Sequence, residues 1–300
     1  MYKRQIVKRA RHRAEYLLLV ACGTVFGTMP PQWVFGIVRV LGFLAFHVFR
    51  IRRSVTLNNL RNSFGVEKNG RELERIARLS YDHIGMTFIE MLYAPKLVMR
   101  IHEIVDLSDI EKVHSALERG KGLMLVGGHF GSWELNAGAL AAAGIPISVV
   151  VRRQANPLVD RLMNRNRSLF GLKVIPTGAS IKHIVQALRN GESIGLVSDQ
   201  DAGRKGVFVD FFGRKASTPR GAAKLALKYG APVIVTMTAR MSPGRYRMIL
   251  REVDVVPDDT VESLTKRYTR VMEEIIRQFP EQYFWMHRRW KTRPPQKSEV

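Results

Sequence analysis

The sequence predicts an α/β fold, a mostly parallel central sheet flanked by helices, preceded by an apolar helical segment that anchors the chain to a membrane. Three observations predict it. From Gly122 onward short apolar runs alternate with stretches of helical period, the pattern of strands joined by crossover helices. The block Lys121-Gly-Leu-Met-Leu-Val-Gly-Gly-His-Phe-Gly-Ser-Trp-Glu134 reads as buried strand, glycine turn and helix start. Two apolar runs with basic outer flanks open the chain. Its 300 residues, 46% of them hydrophobic, suffice for one large domain with an appendage.

Lys3, Arg4, Lys8, Arg9, Arg11 and Arg13 precede the run Tyr16 to Met29, and Pro30 and Pro31 interrupt before the second run, Trp33 to Phe49. Each run falls short of the roughly 20 residues that span a bilayer upright, so a shallow hairpin or interfacial helices are expected, with one tilted spanning helix as the alternative. A pair of ordinary core helices is the plain reading. A cleaved signal peptide fits less well, because apolar character resumes directly after the prolines. The chain divides into this segment (1–53), a mainly helical cap (54–120), an α/β core (121–295) and a tail (296–300). In the cap, Leu73, Ile76 and Leu79 recur at helical spacing and Phe88 to Leu92 extends the stripe.

In the core, Leu123 to Val126 is the first strand and Leu135 to Ala143 an Ala-rich helix capped by Ser132. Ile147 to Val151, Lys173 to Ile175 and Ser193 to Val197 are further strands, separated by helices at Leu158 to Phe170 and Ser180 to Arg189. A helix at Arg220 to Lys228, strands at Val233 to Thr238 and Tyr246 to Arg251, and an amphipathic helix over Val261 to Gln278 complete it. Ligands in such sheets collect beyond the carboxyl ends of strands, where His129, Arg152 and Asp199 fall.

His129 and Glu134 carry the chemistry. In one continuous helix, five residues at roughly 100° each would separate them, so a contact requires the glycine turn to fold His129 back. The positive end of the helix dipole would keep the imidazole neutral and favour Glu134 as an anion, which suits proton removal from an alcohol. The alternative is a hydrogen-bonded turn histidine beside an ordinary first-turn acid. The loop Asp199-Gln-Asp201 to Gly213 offers acids for polar groups of a substrate or a divalent ion, and its apolar residues suit either a slot for an alkyl chain or a buried loop packed by Phe208, Phe211 and Phe212. Pro280 to Pro294, with His287 and Arg288, mixes aromatics and cations in a way suited to anion binding or interface packing.

The net charge of +22 points to an anionic partner. Cations scattered over the chain, with no zinc-finger spacing and no RNA-binding aromatic motif, speak against nucleic acid. No His-Glu-x-x-His or comparable spacing supports a metal site. Cys22 stands alone in an apolar run, so no intrachain disulfide forms and a packed thiol is expected.

Taken together these blocks resemble the bacterial lipid A late acyltransferases of the glycerolipid acyltransferase superfamily. The matching pieces are His129-x4-Glu134, Val150-Val-Arg-Arg followed by Asn156-Pro-Leu, Arg167, the Asp199-Gln-Asp loop with Phe208-Val-x-Phe-Phe-Gly213, and the Pro280-Glu-Gln-Tyr-x-Trp-x-His-Arg-Arg289 run. Asn58-Asn-Leu60 and the apolar start extend the similarity over nearly the whole chain, with Trp290 where many relatives carry Phe. The resemblance implies transfer of a fatty acyl group from a thioester, acyl carrier protein or acyl-CoA, to a hydroxyl of a glucosamine-based lipid A precursor, with no cofactor and no acyl-enzyme. His129 would act as general base and Glu134 would hold its imidazolium. Arg167, and less directly Arg152, would contact substrate phosphate; Asp199, Gln200, Asp201, Phe211, Phe212, His287 and Arg288 would line the substrate site. An anionic membrane surface, a membrane glycolipid acceptor and the cytoplasmic face of the inner membrane follow as expected partners and location.

Overall fold

The computed structural model describes residues 2–178 and 181–295, with the side chains of residues 2–4 left aside. The tail 296–300 and the expected helix start at Ser180 lie outside the described residues.

Helix α1 (Tyr2–Thr28) is continuous through the basic start and the first apolar run, and Pro30 ends the turn into α2 (Pro31–Phe43). Proline at a first helical position loses no hydrogen bond, so Pro31 starts the second helix while breaking the first. A π-helical stretch, Leu44–Val48, continues α2. Helix α3 (Arg53–Phe64) and the capped α4 (Gly70–Leu92) follow. Helix α2 lies against α4 through Val34, Val38 and Gly42. The two approach so closely that a methyl added at Gly85 would meet the Val38 side chain at 2.7 Å. The other face of α2 and of the stretch that follows it is bare and apolar, with Trp33 70% and Phe49 68% exposed. Pro31–Val48 is long and apolar enough to cross a membrane.

Short helices α5 (Ala94–Val98) and α6 (Ile101–Ile104) lead into a two-residue strand, β1 (Val105–Asp106), before α7 (Glu111–Leu117). Two residues carry no period, so a strand inside the expected helical cap had no signature in the sequence. The core then runs β2 (Leu123–Gly127), α8 (Trp133–Ala142), β3 (Ile147–Val151), α9 (Pro157–Leu169), β4 (Lys173–Pro176), α10 (Ile181–Arg189) and β5 (Ser193–Val197). An antiparallel hairpin, β6 (Val207–Phe211) and β7 (Arg214–Thr218), occupies what reads in the sequence as one long loop. Helix α11 (Gly221–Tyr229), β8 (Val233–Ser242), β9 (Arg245–Val253) and α12 (Val261–Gln278) close the fold.

The seven-stranded sheet has the order β1-β9-β8-β2-β5-β3-β4, parallel throughout except between β8 and β9. Its mostly parallel, helix-covered form is the predicted class. Side chains alternate along β2: Leu123 and Leu125 pack with Leu140, Ile147 and Phe170 on the α8 side, while Met124 and Val126 pack with Ile194, Ala223 and Met272 on the other.

Candidate active site

Strand β2 ends at Gly127, and the turn that follows is held at every residue. His129 N–H donates to Asp199 Oδ2 at 2.9 Å, Phe130 N–H to Gly128 O at 2.8 Å, Gly131 N–H to Gln282 O at 2.9 Å and Ser132 N–H to Thr238 O at 3.1 Å. Thr87 of α4 donates to Gly131 O at 2.5 Å, and Phe284 N–H donates to His129 O at 3.0 Å. Gly131 has φ +51°, and a Cβ there would stand 2.0 Å from Thr238 O, so no other residue fits this turn.

The turn delivers His129 to Asp199. Strands β2 and β5 are paired in parallel with Gly127 opposite Val197, so two residues beyond each strand end the imidazole meets the carboxylate: Nδ1 lies 2.8 Å from Asp199 Oδ1. A carboxylate can only accept, so Nδ1 carries the hydrogen and Nε2 faces outward, 3.4 Å from Gln200 Nε2. Trp133 and Phe284 flank the ring at 5.3 and 6.0 Å between centroids. Burial disfavours the imidazolium, but the charge and hydrogen bond of Asp199, helped by the charge of Glu134, outweigh it and hold the His129 pKa above the usual 6.5. The expected lowering by the helix dipole is thus reversed in sign. Burial would push Asp199 up, yet His129 and Arg289 hold it below the usual carboxylate range.

Glu134 is not the residue that holds the imidazole. It sits in the first turn of α8 and faces α9, where Arg167 grips it with both prongs, Nε to Oε2 at 3.0 Å and Nη2 to Oε1 at 2.7 Å. The third arm, Arg167 Nη1, donates to Asn164 Oδ1 at 3.0 Å. The expected hydrogen-bonded couple of His129 and Glu134 is therefore corrected to His129 and Asp199, with Glu134 acting through its charge. Arg167, expected to contact phosphate, lines the cavity while Glu134 and Asn164 take three of its donors.

The remaining expected residues divide. Arg152, exposed beyond β3, and Gln200 line the cavity beside His129. Asp201 instead ties down the C-terminal segment: its N–H donates to His287 Nε2 at 3.0 Å, and its carboxylate accepts from Thr292 N–H and Oγ1 at 3.2 and 2.9 Å. Arg288 is exposed, whereas its neighbour Arg289 is buried and donates to Ser217 O and Thr218 Oγ1 at 2.6 Å each. Phe211 and Phe212 are core residues packed edge-on against each other, with Tyr283 against the first and Phe64 and Trp285 against the second. Of the two readings of this loop, the buried, packed one holds for Phe211 and Phe212.

Open space lies instead on the α8 side of the sheet. A cavity of about 550 Å³ runs from His129 and Gln200 down the sheet face, with Leu125, Ile147, Val149 and Gly195 along one wall and Ala137, Leu140 and Met163 along the other. Phe88, 49% exposed, and Trp133 stand among its lining residues. These aliphatic residues read in the sequence as ordinary core; only Gly195, a glycine in the middle of an apolar strand, signals something else.

A family model described as bacterial lipid A biosynthesis acyltransferase matches residues 3–292. The chain is 30% identical over 268 residues to the lipid A biosynthesis palmitoleoyltransferase of Escherichia coli (strain K12), covering 87% of this chain and 85% of the relative. Its identity to the lipid A biosynthesis lauroyltransferase of the same organism is 30% over 262 residues, covering 85% and 84%. To the phosphatidylinositol mannoside acyltransferase of Mycolicibacterium smegmatis it is 28% over 195 residues, covering 64% of each.

Proposed function

The chain belongs to the bacterial lipid A biosynthesis acyltransferase family and is an O-acyltransferase; from that premise we propose that it moves a fatty acyl chain from an acyl thioester to a hydroxyl of a lipid A precursor, with His129 as general base. The observation that carries this reading is an imidazole fixed by a buried carboxylate on one nitrogen and opening on the other into a cavity walled by aliphatic side chains.

The acceptor hydroxyl gives its proton to His129 Nε2 as its oxygen attacks the thioester carbonyl. Asp199 keeps the productive tautomer and stabilises the imidazolium that forms. The tetrahedral intermediate collapses, the carbon–sulfur bond breaks, and the imidazolium returns the proton to the departing thiolate; the ester forms directly, without an acyl-enzyme. The turn amides from His129 to Ser132 all have partners, so the oxyanion falls to other donors, of which the Gln200 amide lies 3.4 Å from His129 Nε2. Glu134 and Arg167 fix the start of α8 against α9. No cofactor is needed beyond the thioester.

Acyl carrier protein is the proposed donor, because an acidic carrier is drawn to a chain of net charge +22, and acyl-CoA shares that attraction. The bare apolar face of α2 supports a place on the inner membrane. Helix α4 both packs against α2 and carries Phe88 to the cavity, which brings the site to a membrane-borne acceptor on the cytoplasmic face. The similarity to a phosphatidylinositol mannoside acyltransferase favours a second acceptor class. Purified protein in detergent, given carrier loaded with a labelled acyl group, should add one acyl mass to a lipid A precursor, and His129→Ala should abolish the gain. Mass gain on the mannoside alone would replace the acceptor, and transfer retained by His129→Ala would remove the base.

A further inference from the structure

Strand β5, Ser193-Ile-Gly-Leu-Val197, carries a glycine at its centre although it runs between β2 and β3 in the interior of the sheet. Glycine there weakens a strand by about 0.5–1 kcal/mol relative to alanine, so its presence calls for a local reason. The backbone supplies none. Gly195 has no positive φ, and its pairing is regular on both sides, with Leu125 opposite it on β2 and Val149 opposite it on β3. What differs is the space above it. Leu125 and Val149, level with Gly195 on the same face, are 1% and 9% exposed, whereas Gly195 itself stays partly open in mid-sheet because the cavity reaches its backbone.

The cavity is thus stepped along the strands. Gly127 and Val197 lie at the level nearest His129, Leu125, Gly195 and Val149 form the next, and Ile147 lines the cavity a further level down, with Leu172 just ahead of the Lys173 that pairs Ser148. Each level is two residues of strand, about 6.6 Å, or the length of roughly five extended methylenes. A Cβ at Gly195 would stand 3.1 Å from Val149 Cγ1 and 3.5 Å from Ile147 Cδ1, so alanine fits with a small yielding of Val149. The γ-carbons of a larger residue have to enter the cavity.

We propose that Gly195 sets the length of acyl chain this enzyme accepts, by leaving open the passage from the His129 end of the cavity to its deep end at Ile147. The proposal rests on the acyl-transfer reading above and adds the residue that governs chain selection.

The test is a donor series, carrier protein loaded with saturated chains of increasing length, with products weighed by mass spectrometry for wild type, Gly195→Ala, Gly195→Val and Ile147→Ala. Gly195→Val should move the optimum to donors shorter by two or more carbons. Its kcat/KM for the wild-type optimum should fall at least tenfold, since each methylene a pocket rejects is worth about that factor or more. Gly195→Ala should shift the optimum in the same direction by less, and Ile147→Ala, which deepens the far end, in the opposite one. Should Gly195→Val fail to fold, the alanine variants carry the test. Folded variants that keep the wild-type length profile overturn the proposal and leave acyl transfer standing. A wild type inactive with every donor overturns acyl transfer, and the chain-length role falls with it.

Discussion

Replacing Asp199 by asparagine removes the buried carboxylate that touches His129, and the consequences follow from the geometry. Asp199 Oδ1 lies 2.8 Å from Nδ1 and Oδ2 accepts the His129 N–H at 2.9 Å, so the carboxylate both selects the tautomer and fixes the turn. Asparagine keeps the shape but has one acceptor instead of two and no charge. Loss of the orienting carboxylate in an imidazole-based site lowers turnover by up to about 10⁴; with the charge of Glu134 still present, a fall of about 10² to 10⁴ is expected here. The pH profile gives an independent sign. The base must be neutral and its pKa lies above 6.5, so wild-type kcat/KM falls as pH drops through a value above 6.5. In Asp199→Asn the opposing effect of burial dominates and the pKa falls, so the acid limb moves to lower pH while the plateau drops. Stopped assays of labelled acyl transfer from about pH 5 to 9 measure both. A plateau within a few-fold of wild type and an unmoved limb would refute the pairing of His129 with Asp199 as the working couple.

Glu134→Ala leaves the buried Arg167 guanidinium without its carboxylate partner and should destabilise the fold by about 3 kcal/mol in denaturant unfolding. Because Glu134 reaches His129 only through its charge, its acid limb should move less than that of Asp199→Asn, and an equal shift would restore Glu134 as the imidazole's partner. Gly131→Ala forces a Cβ to 2.0 Å from Thr238 O at φ +51° and should abolish transfer; near-normal activity would show that the turn can reform. Val40→Asp combined with Leu41→Asp places charge on the bare face of α2, where the two side chains are 60% and 52% exposed. The double variant should lose recovery with phospholipid vesicles yet retain transfer to a detergent-dispersed acceptor, and undiminished vesicle recovery would take that face out of membrane contact.

The short apolar runs at Leu123, Ile147 and Ser193 became β2, β3 and β5 within a residue of where the sequence puts them, because a buried parallel strand is recorded in a local run of branched and aliphatic side chains. The glycine turn that presents His129 was legible for the same reason: strand, Gly-Gly and helix start lie within a dozen neighbouring residues, although Ser132 stands at the N-cap position without capping the helix through its side chain. The hairpin β6–β7 was not, since its aromatics fit a packed loop as well as a strand pair. Phe211 and Phe212, which the resemblance places at the substrate site, belong to the core around Trp285.

By itself, then, the chain's order of residues determined the layered α/β class, the turn and the imidazole, all written in spacings of a few residues. Tertiary structure alone decided which carboxylate serves that imidazole. Asp199 is 70 residues from His129 and Glu134 only five, yet the pairing of β2 with β5 brings the distant one to 2.8 Å, while α8 turns the near one towards Arg167. It also decided where the greasy cavity runs, because an aliphatic side chain facing a void and one facing its neighbour are the same letter until the sheet and its covering helices are assembled.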